Sequence, residues 1–279
     1  MSIPIVFIHY GSCEFLVYSL MQAKATNPDA EVYVIGDDDS WTDVIGDVHF
    51  IPLEQFAGRS GFAGRYRHDS PNPVEYEWFC FERFFMLKDF MIHSGLRKCW
   101  YLDSDILLYM GEKERKPLKS DIVFNHYRFR DLSALAHFCD FIMECYENEA
   151  SYGQVLDFHQ TLPYYTGISD MVLLEYFRYL FPEEAGMLAE EARSSFICIN
   201  INIPEELEEA DGKKKVYLKN GVPHGRHAQT KRWVRLGLLH FQGTAKMYME
   251  PLVQYFIPDS TDGILYLDYE SGLWLQGGD

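Results

Sequence analysis

The stretch "CWYLDSDILLY", residues 99–109, places two aspartates, Asp103 and Asp105, inside an otherwise apolar run. A buried carboxylate is costly unless it is paired, protonated or bound to a metal. The run has the composition of a buried strand, in which residues two apart point to the same face. It therefore predicts two adjacent carboxylates near the carboxyl end of a strand, where open α/β sheets bind ligands. Such a pair suits a hard divalent cation, although a pair of acids in a turn or a helix cap is the alternative.

A second group of polar residues follows another apolar run, in "LLHFQGTAK", residues 238–246. His240 can complete a Mn²⁺ site that carboxylates begin. Gly243 permits a tight turn, and Lys246 beyond it can neutralise phosphate oxygens. Taken alone, His240 has the alternative of a hydrogen-bonded buried histidine, and Lys246 that of a solvated charge.

The order of elements predicts an α/β fold. "IPIVFIHY" (3–10) and "EVYVIGDDD" (31–39) are strand-like runs that flank a helical pattern, and this βαβ opening favours a parallel sheet with helices on both faces. "VEYEWFCFERFFMLKDFMIHSG" (74–95) predicts a long helix that leads towards the aspartates. Residues 205–232 are acidic in their first half and basic in their second. They predict an irregular flap that orders over bound donor and metal, with a surface loop remote from the site as the alternative.

Composition excludes some partners and indicates a compartment. The chain has 25 Lys and Arg against 42 Asp and Glu, a formal net charge of -17, which argues against a nucleic-acid partner. The six cysteines form no CxxC pair and predict free thiols of a reducing compartment. No apolar run approaches the roughly 20 residues of a membrane helix, and "MSIPIVFIHYG" lacks the pattern of a signal peptide. These features predict a cytoplasmic protein without a transmembrane segment.

The two motifs together resemble those of a known enzyme class. "YLDSDILL" resembles the DxD strand of GT-A glycosyltransferases, and "HFQGTAK" resembles the H-x-x-G-x-x-K element of the retaining family 8 enzymes, the glycogenin and lipooligosaccharide galactosyltransferase group. Met247 and Tyr248 replace the usual proline and tryptophan, and "HYGS" replaces the acidic and amide residues after the first strand. The resemblance implies a GT-A fold with a mixed, mostly parallel central sheet and flanking helices. It implies one domain over 1–279, with a nucleotide-binding half of about 1–110 and an acceptor-facing half of about 111–279.

The resemblance also implies a site. Asp103, Asp105 and His240 would hold Mn²⁺ or Mg²⁺, and Asp103 would contact the ribose as well. Gly243 and Lys246 would hold the diphosphate.

Two further positions have open alternatives. In enzymes that the sequence resembles, a basic residue in the position of Arg83 approaches the nucleotide diphosphate or the donor sugar, whereas a surface pair with Glu82 or Glu77 is the alternative. Tyr10 follows the first strand, where the resemblance places the nucleobase, so it could stack on uracil. Packing in the core is the alternative for Tyr10.

Two residues of the second half are candidates for sugar contacts. Asp170 in "TGISDMVLL" resembles the acid that binds donor-sugar hydroxyls near the reacting carbon, and a helix N-cap is its alternative. Asn125 in "VFNHY" is a second candidate for the sugar.

The motifs and their resemblance together predict a metal-dependent glycosyltransferase that moves a sugar, with UDP-hexose as the donor, to a hydroxyl acceptor such as a glycan. Retention is implied by the resemblance alone. Asp170, Asp105 and Lys246 are the predicted catalytic residues. A sugar-1-phosphate nucleotidyltransferase is one alternative, although "HYGSCEF" lacks the glycine-rich basic loop of that class. A non-catalytic nucleotide-sugar-binding protein is the other.

Overall fold

The computed structural model describes residues 2–111, 120–124, 128–129, 131–187, 196–257 and 263–277. By its internal contacts the chain divides into two compact units. Unit 1 consists of Met1–Phe50, Leu102–Leu118 and Leu188–Asp279, and unit 2 consists of Ile51–Tyr101 and Lys119–Met187. The prediction of a single domain with halves meeting at about residue 110 stays a prediction.

Unit 1 begins with the predicted βαβ arrangement. Strands β1 (Ile5–His9) and β2 (Val32–Gly36) pair in parallel, with His9 opposite Gly36, so both carboxyl ends reach the same edge. Between them, α1 (Glu14–Thr26) buries Leu16, Leu20 and Ala23. The helix ends before Asn27-Pro28, because the residue that precedes a proline disfavours helical geometry.

A second sheet completes unit 1. In spatial order its strands are β16 (Leu273–Gln276), β15 (Ile264–Asp268), β12 (Tyr217–Lys219), β13 (Val222–Arg226), β14 (Trp233–His240) and β5 (Ile106–Leu108). These neighbours pair antiparallel, β9 (Phe196–Cys198) joins β14 in parallel, and β10 (Glu209–Ala210) and β11 (Lys213–Lys214) form a separate hairpin. Leu107, Leu239, Phe241 and Leu267 are fully buried in the core of this unit.

Unit 2 combines a mixed sheet with helices. Its strand β4 (Cys99–Leu102), whose last residue is counted with unit 1, pairs antiparallel with β7 (Arg128–Phe129). Strand β7 pairs antiparallel with β6 (Ile122–Phe124), and β6 pairs in parallel with β8 (Ala185–Met187). A further short strand, β3 (His49–Pro52), lies where the chain first passes into this unit.

The helices of unit 2 are α2 (Val74–His93), α3 (Leu132–Glu147), α4 (Glu149–His159) and α5 (Asp170–Leu180). Caps mark two of their starts: Asp131 accepts the backbone N–H of Ser133, and Asn148 accepts those of Ala150 and Ser151. An N-cap oxygen satisfies a backbone donor that the first helical turn leaves open. The α/β class with a mixed sheet and flanking helices is therefore confirmed. Among the described residues, no helix is long and apolar enough to cross a membrane.

The structure corrects the prediction for the aspartates in one respect. Strand β4 ends at Leu102 and β5 begins at Ile106, so Asp103 and Asp105 lie in the turn between two strands rather than within one. Their proximity is therefore a property of the turn and not of strand alternation. The apolar residues on either side are nevertheless buried, as expected.

The prediction that residues 205–232 are irregular is wrong, whereas their closure over bound donor and metal stays a prediction. The segment contains β10 to β13, joined by two-residue turns at Asp211-Gly212 and Asn220-Gly221. All four turn residues have positive φ, which is what a tight hairpin turn with Asp-Gly or Asn-Gly requires. The two dipeptides are strong hairpin signals that outweigh the charge pattern.

Candidate metal and donor site

The turn after β4 is held against the end of β14. Asp105 is 9% exposed, and its backbone carbonyl accepts the N–H of Phe241 at 3.0 Å. Strands β5 and β14 run antiparallel with His240 opposite Ile106. The sequence of β14 thus places His240, its last residue, beside the acidic turn.

The ring of His240 is oriented from both sides. Nδ1 lies 2.9 Å from the carbonyl oxygen of Ile199, and Nε2 lies 3.1 Å from Oδ1 of Asp105. A carbonyl only accepts, so Nδ1 carries the proton and Nε2 faces the carboxylate. A neutral ring in this position directs a lone pair at an anion, which requires either a proton or a metal cation between them. An Nδ1–H bonded to a backbone carbonyl is also the usual orientation of a metal-binding histidine.

Asp103, Asp105 and His240 each offer a ligand atom, and these atoms lie within 4.8 Å of one another. Asp105 and His240 are buried, and Asp103 is partly exposed. Two carboxylates and one imidazole are a donor set that fits Mn²⁺ or Mg²⁺ with positions left for phosphate oxygens. The residues present therefore fit the cation that the sequence predicts. The two motifs are far apart in the chain, and the pairing of β5 with β14 brings them together.

Lys246 reaches the same carboxylate. Its Nζ lies 3.1 Å from Oδ2 of Asp105, its side chain is 33% exposed, and the ammonium lies 4.8 Å from the centre of the Phe15 ring. Burial raises the pKa of Asp105, but the hydrogen bond and charge of His240 and the charge of Lys246 outweigh it and lower the pKa to about 2. Burial lowers the pKa of His240, and the bond to Asp105 outweighs that and raises it. The centre of the site is thus the ionised carboxylate of Asp105, and the ammonium of Lys246 lies 3.1 Å from it.

Gly243 begins a short 3-10 helix, Gly243–Tyr248, that returns the chain towards the turn. Its φ is +61°, and a Cβ added there would meet no atom within 4 Å. The requirement for glycine is therefore the backbone conformation rather than space. A larger residue would strain the turn that brings Lys246 to Asp105.

Tyr10 lies in the open, at the carboxyl end of β1, and its side chain is 67% exposed. The alternative of core packing is therefore wrong for this residue. The next residue, Gly11, has φ of +87° and donates its N–H to Oδ1 of Asp37 at 2.7 Å. This bond connects the loops that follow β1 and β2 at one edge of the sheet.

In unit 2, Arg83 and Asp170 contact each other. Nη2 of Arg83 lies 2.6 Å from Oδ2 of Asp170, with the two side chains 13% and 6% exposed. Nε of Arg83 donates to the carbonyl of Cys80 at 3.0 Å. The guanidinium lies 5.4 Å from the ring centre of Phe84 and 5.6 Å from that of Tyr101. Two residues selected separately from the sequence are thus an ion pair.

For Arg83 the alternative of a surface pair with Glu82 or Glu77 is wrong, and for Asp170 the alternative of a helix N-cap is wrong. Glu82 is buried and accepts bonds from Gly58 and Ser60, and Glu77 is buried and accepts bonds from Ser70 and Asn72. Neither acid forms a surface pair with Arg83. The N-cap of α5 is Ser169, and Asp170 is the first residue of the helix, whose Oδ1 accepts the N–H of Met171 at 2.9 Å.

Asn125 lies outside the described residues. The sequence did not single out Ser104, which lies within the acidic turn, or His9, which contacts it: Oγ of Ser104 and Nδ1 of His9 are 2.9 Å apart. The available signal was position, because His9 is the polar residue that closes an apolar strand at the ligand-binding edge. Its partner could not be read from the chain, since 95 positions separate the two residues.

Neither a protein-family model nor a curated protein matches the sequence. Among solved structures, the chain is similar to the apo form of the glycosyltransferase GlyE of Streptococcus pneumoniae TIGR4. The TM-score is 0.38 and the identity 14%, over 67% of this chain and 45% of GlyE, so this chain spans less than half of that protein. The PaToxG glycosyltransferase is similar at a TM-score of 0.41 and 12% identity, over 65% of this chain and 70% of that one. An active-site mutant of LgtC is similar at a TM-score of 0.46 and 13% identity, over 88% and 89%. At these scores the similarities assign neither activity nor substrate to this chain.

Proposed function

We propose that this chain is a metal-dependent GT-A glycosyltransferase that moves a sugar from a nucleotide-diphosphate donor to a hydroxyl acceptor. The observation that carries the proposal is the convergence of four side chains from two distant segments. Asp103 and Asp105 meet His240, and Lys246 lies 3.1 Å from Asp105. Acids, an imidazole and a partly exposed ammonium in one place suit a cation together with a diphosphate.

The proposed chemistry is departure of the diphosphate from the sugar. Mn²⁺ or Mg²⁺, held by Asp103, Asp105 and His240, would supply Lewis-acid stabilisation of the leaving group. Lys246 would neutralise phosphate oxygens, since its ammonium is one-third exposed and can turn from Asp105 towards a ligand. Gly243 would allow the backbone to approach the diphosphate. Asp105 would be catalytic because it would hold the cation that stabilises the departing diphosphate.

The nucleotide is proposed to lie along the edge where β1 and β2 end. Tyr10 is exposed there and would stack on the base, for which uracil is our assignment. Asp103 would contact the ribose as well as the cation. UDP-hexose is thus the proposed donor.

Arg83, Asp170 and Asn125 are proposed to serve the donor sugar. Asp170 would accept sugar hydroxyls close to the reacting carbon, and Arg83 would hold its carboxylate in position. The short ion pair supports this division between the two residues. Transfer with retention and a glycan or other hydroxyl acceptor complete the proposal. The six cysteines are all free thiols, which supports a reducing compartment such as the cytoplasm.

A panel of nucleotides with and without metal tests this function. We expect UDP with Mn²⁺ to raise the melting temperature because ligand binding stabilises the folded state. ATP should give no comparable shift, and EDTA should abolish the effect of UDP. Incubation with UDP-hexoses and Mn²⁺ should slowly release free UDP.

Other outcomes of these assays would indicate a different function. Release of pyrophosphate from a nucleoside triphosphate and a sugar-1-phosphate would indicate a nucleotidyltransferase. Tight binding of UDP-hexose without any turnover would indicate a binding protein. Absence of Mn²⁺ binding altogether would show that the four side chains form only an internal ion-pair cluster, and the proposal would then be wrong.

A further inference from the structure

The acidic turn of unit 1 is held through its middle residue, Ser104. Its Oγ shares a hydrogen bond of 2.9 Å with Nδ1 of His9, the last residue of β1. Its carbonyl accepts the hydroxyl of Ser19 at 2.7 Å, and Ser19 is a fully buried residue of α1. Two regular elements distant in sequence therefore fix the residue that separates Asp103 from Asp105.

The ring of His9 is itself fixed. Nε2 lies 3.0 Å from Sγ of Cys13, and the ring packs edge-on against Phe15 with centroids 5.7 Å apart and planes at 85°. Burial lowers the pKa of His9 even though Asp37 opposes it, and burial raises the pKa of the Cys13 thiol to about 11. A neutral imidazole and an intact thiol are thus the stable forms. The ring has one orientation, with Nδ1 towards the turn.

The turn is held at its middle residue by the two bonds of Ser104 and, next to β14, by the backbone. The carbonyl of Asp105 is bonded to Phe241, so the side next to β14 is held by the sheet. Asp103, on the other side of Ser104, is more exposed than Asp105. A cation site binds tightly only when its ligands are already in place, and partners that orient the ligands typically contribute about 10- to 100-fold to metal affinity.

We propose that His9 is a positioning residue of the metal site, which holds Ser104 so that Asp103 and Asp105 face His240. The inference rests on the function proposed above. His9 touches neither the cation nor the donor in this assignment, and it acts through one hydrogen bond to the turn.

Two substitutions of one residue separate this role from simple packing. His9→Asn places an amide atom where Nδ1 stood and keeps the link to Ser104, whereas His9→Gln places one where Nε2 stood and keeps the link to Cys13. The unaltered protein, the two His9 variants and Ser104→Ala are titrated with Mn²⁺ alone, and free Mn²⁺ is measured by electron paramagnetic resonance. Melting temperatures of the metal-free proteins are recorded alongside. His49→Gln, an exposed histidine of β3, is the control.

We expect His9→Asn to bind Mn²⁺ nearly as tightly as the unaltered protein. His9→Gln and Ser104→Ala should each weaken binding about 10-fold or more. The double variant His9→Gln/Ser104→Ala should be no weaker than either single variant, because both remove the same bond. His49→Gln should be without effect.

Equal Mn²⁺ affinity of His9→Asn and His9→Gln would overturn the inference, as would additive losses in the double variant. Losses of Mn²⁺ affinity that simply parallel the losses of melting temperature across the variants would also overturn it, since a packing role predicts that pattern. If the unaltered protein binds no Mn²⁺, the function proposed above has failed, and that result is distinct from tight binding by every variant.

Discussion

Unit 1 and unit 2 each bury a carboxylate beside a cation, and they differ in how the carboxylate is satisfied. In unit 1, both oxygens of Asp105 face cationic side chains, with His240 and Lys246 each 3.1 Å away. In unit 2, one oxygen of Asp170 binds Arg83 at 2.6 Å and the other accepts the N–H of Met171 at 2.9 Å. One carboxylate is surrounded by side chains alone, and the other is fixed by a side chain and by the backbone.

The difference lies in which partners can be exchanged. A metal ion can replace the proton between His240 and Asp105, and the one-third exposed Lys246 can turn from Asp105 towards phosphate oxygens. Arg83 remains charged at every working pH, and aromatic rings enclose it. The first cluster is thus suited to binding and release, and the second to holding Asp170 still. The predictions below test that contrast.

The largest expected effect is on stability, from Arg83→Met. The variant removes the cation that faces the buried Asp170 carboxylate, and breaking such a buried ion pair costs about 3–5 kcal/mol of the free energy of unfolding. The double variant Arg83→Met/Asp170→Asn should recover most of that loss because it removes the uncompensated charge. Urea denaturation followed by circular dichroism measures both.

Arg178→Met is the matched control in the same unit. Arg178 pairs with Glu175 at 3.0 Å, but this pair is partly exposed, and exposed pairs contribute about 1 kcal/mol or less. If Arg83→Met costs no more than Arg178→Met, the pair with Asp170 is not the closed arrangement described above.

The next effect is on metal binding, from Asp105→Asn. The amide is isosteric but lacks the charge and half of the ligand capacity, so we expect Mn²⁺ affinity to fall by about 100-fold, the upper range for changes around a metal site. UDP binding that depends on Mn²⁺ should fall with it. Isothermal titration calorimetry measures both ligands, and exposed Asp43→Asn is the control. Sugar transfer that proceeds fully in EDTA would contradict the assignment.

The sequence predicted the first elements of unit 1 and the residues of its candidate site, but not all of their structural context. The βαβ opening followed from short apolar runs and a helical pattern, and the metal-binding set followed from two motifs and their resemblance. The sequence offered both a strand and a turn for Asp103 and Asp105 and could not decide between them, because the apolar residues on both sides are compatible with either. It also could not reveal the bond between His9 and Ser104, which depends on tertiary packing.

Two other results mark where reading the sequence failed and where it could have succeeded. In residues 205–232 the charge pattern predicts an irregular segment, whereas Asp211-Gly212 and Asn220-Gly221 are the turn signals that the structure follows. Arg83 and Asp170 were both selected as sugar-site candidates, yet their pairing across 87 positions is a tertiary fact. Local sequence patterns can thus predict where strands end and where turns occur. Contacts between distant segments can be identified only from the folded structure.

A smaller effect is expected from Lys246→Met, and it should differ in sign between the two ligands. Loss of the ammonium removes a cation that competes with a metal for Asp105, so Mn²⁺ affinity should stay the same or rise. UDP affinity should fall about 10-fold or more, because a charge-assisted bond to phosphate contributes about 1.5–3 kcal/mol. Lys246→Arg keeps the charge and should retain most of the UDP affinity. A parallel loss of Mn²⁺ affinity in Lys246→Met would show that the lysine supports the fold of the turn instead.

The smallest effect is expected at Tyr10, an exposed residue of the proposed site. Its side chain is 67% exposed, so Tyr10→Ala should leave the melting temperature nearly unchanged. Stacking between aromatic rings contributes about 0.5–1.5 kcal/mol, which corresponds to a loss of about 2- to 12-fold in UDP affinity. Tyr10→Phe keeps the ring and should bind UDP as the unaltered protein does. Pyrophosphate with Mn²⁺ has no base to stack, so its affinity should be the same in all three proteins. Equal losses for UDP and pyrophosphate in Tyr10→Ala would place Tyr10 with the diphosphate, and no loss for either would remove it from the nucleotide site.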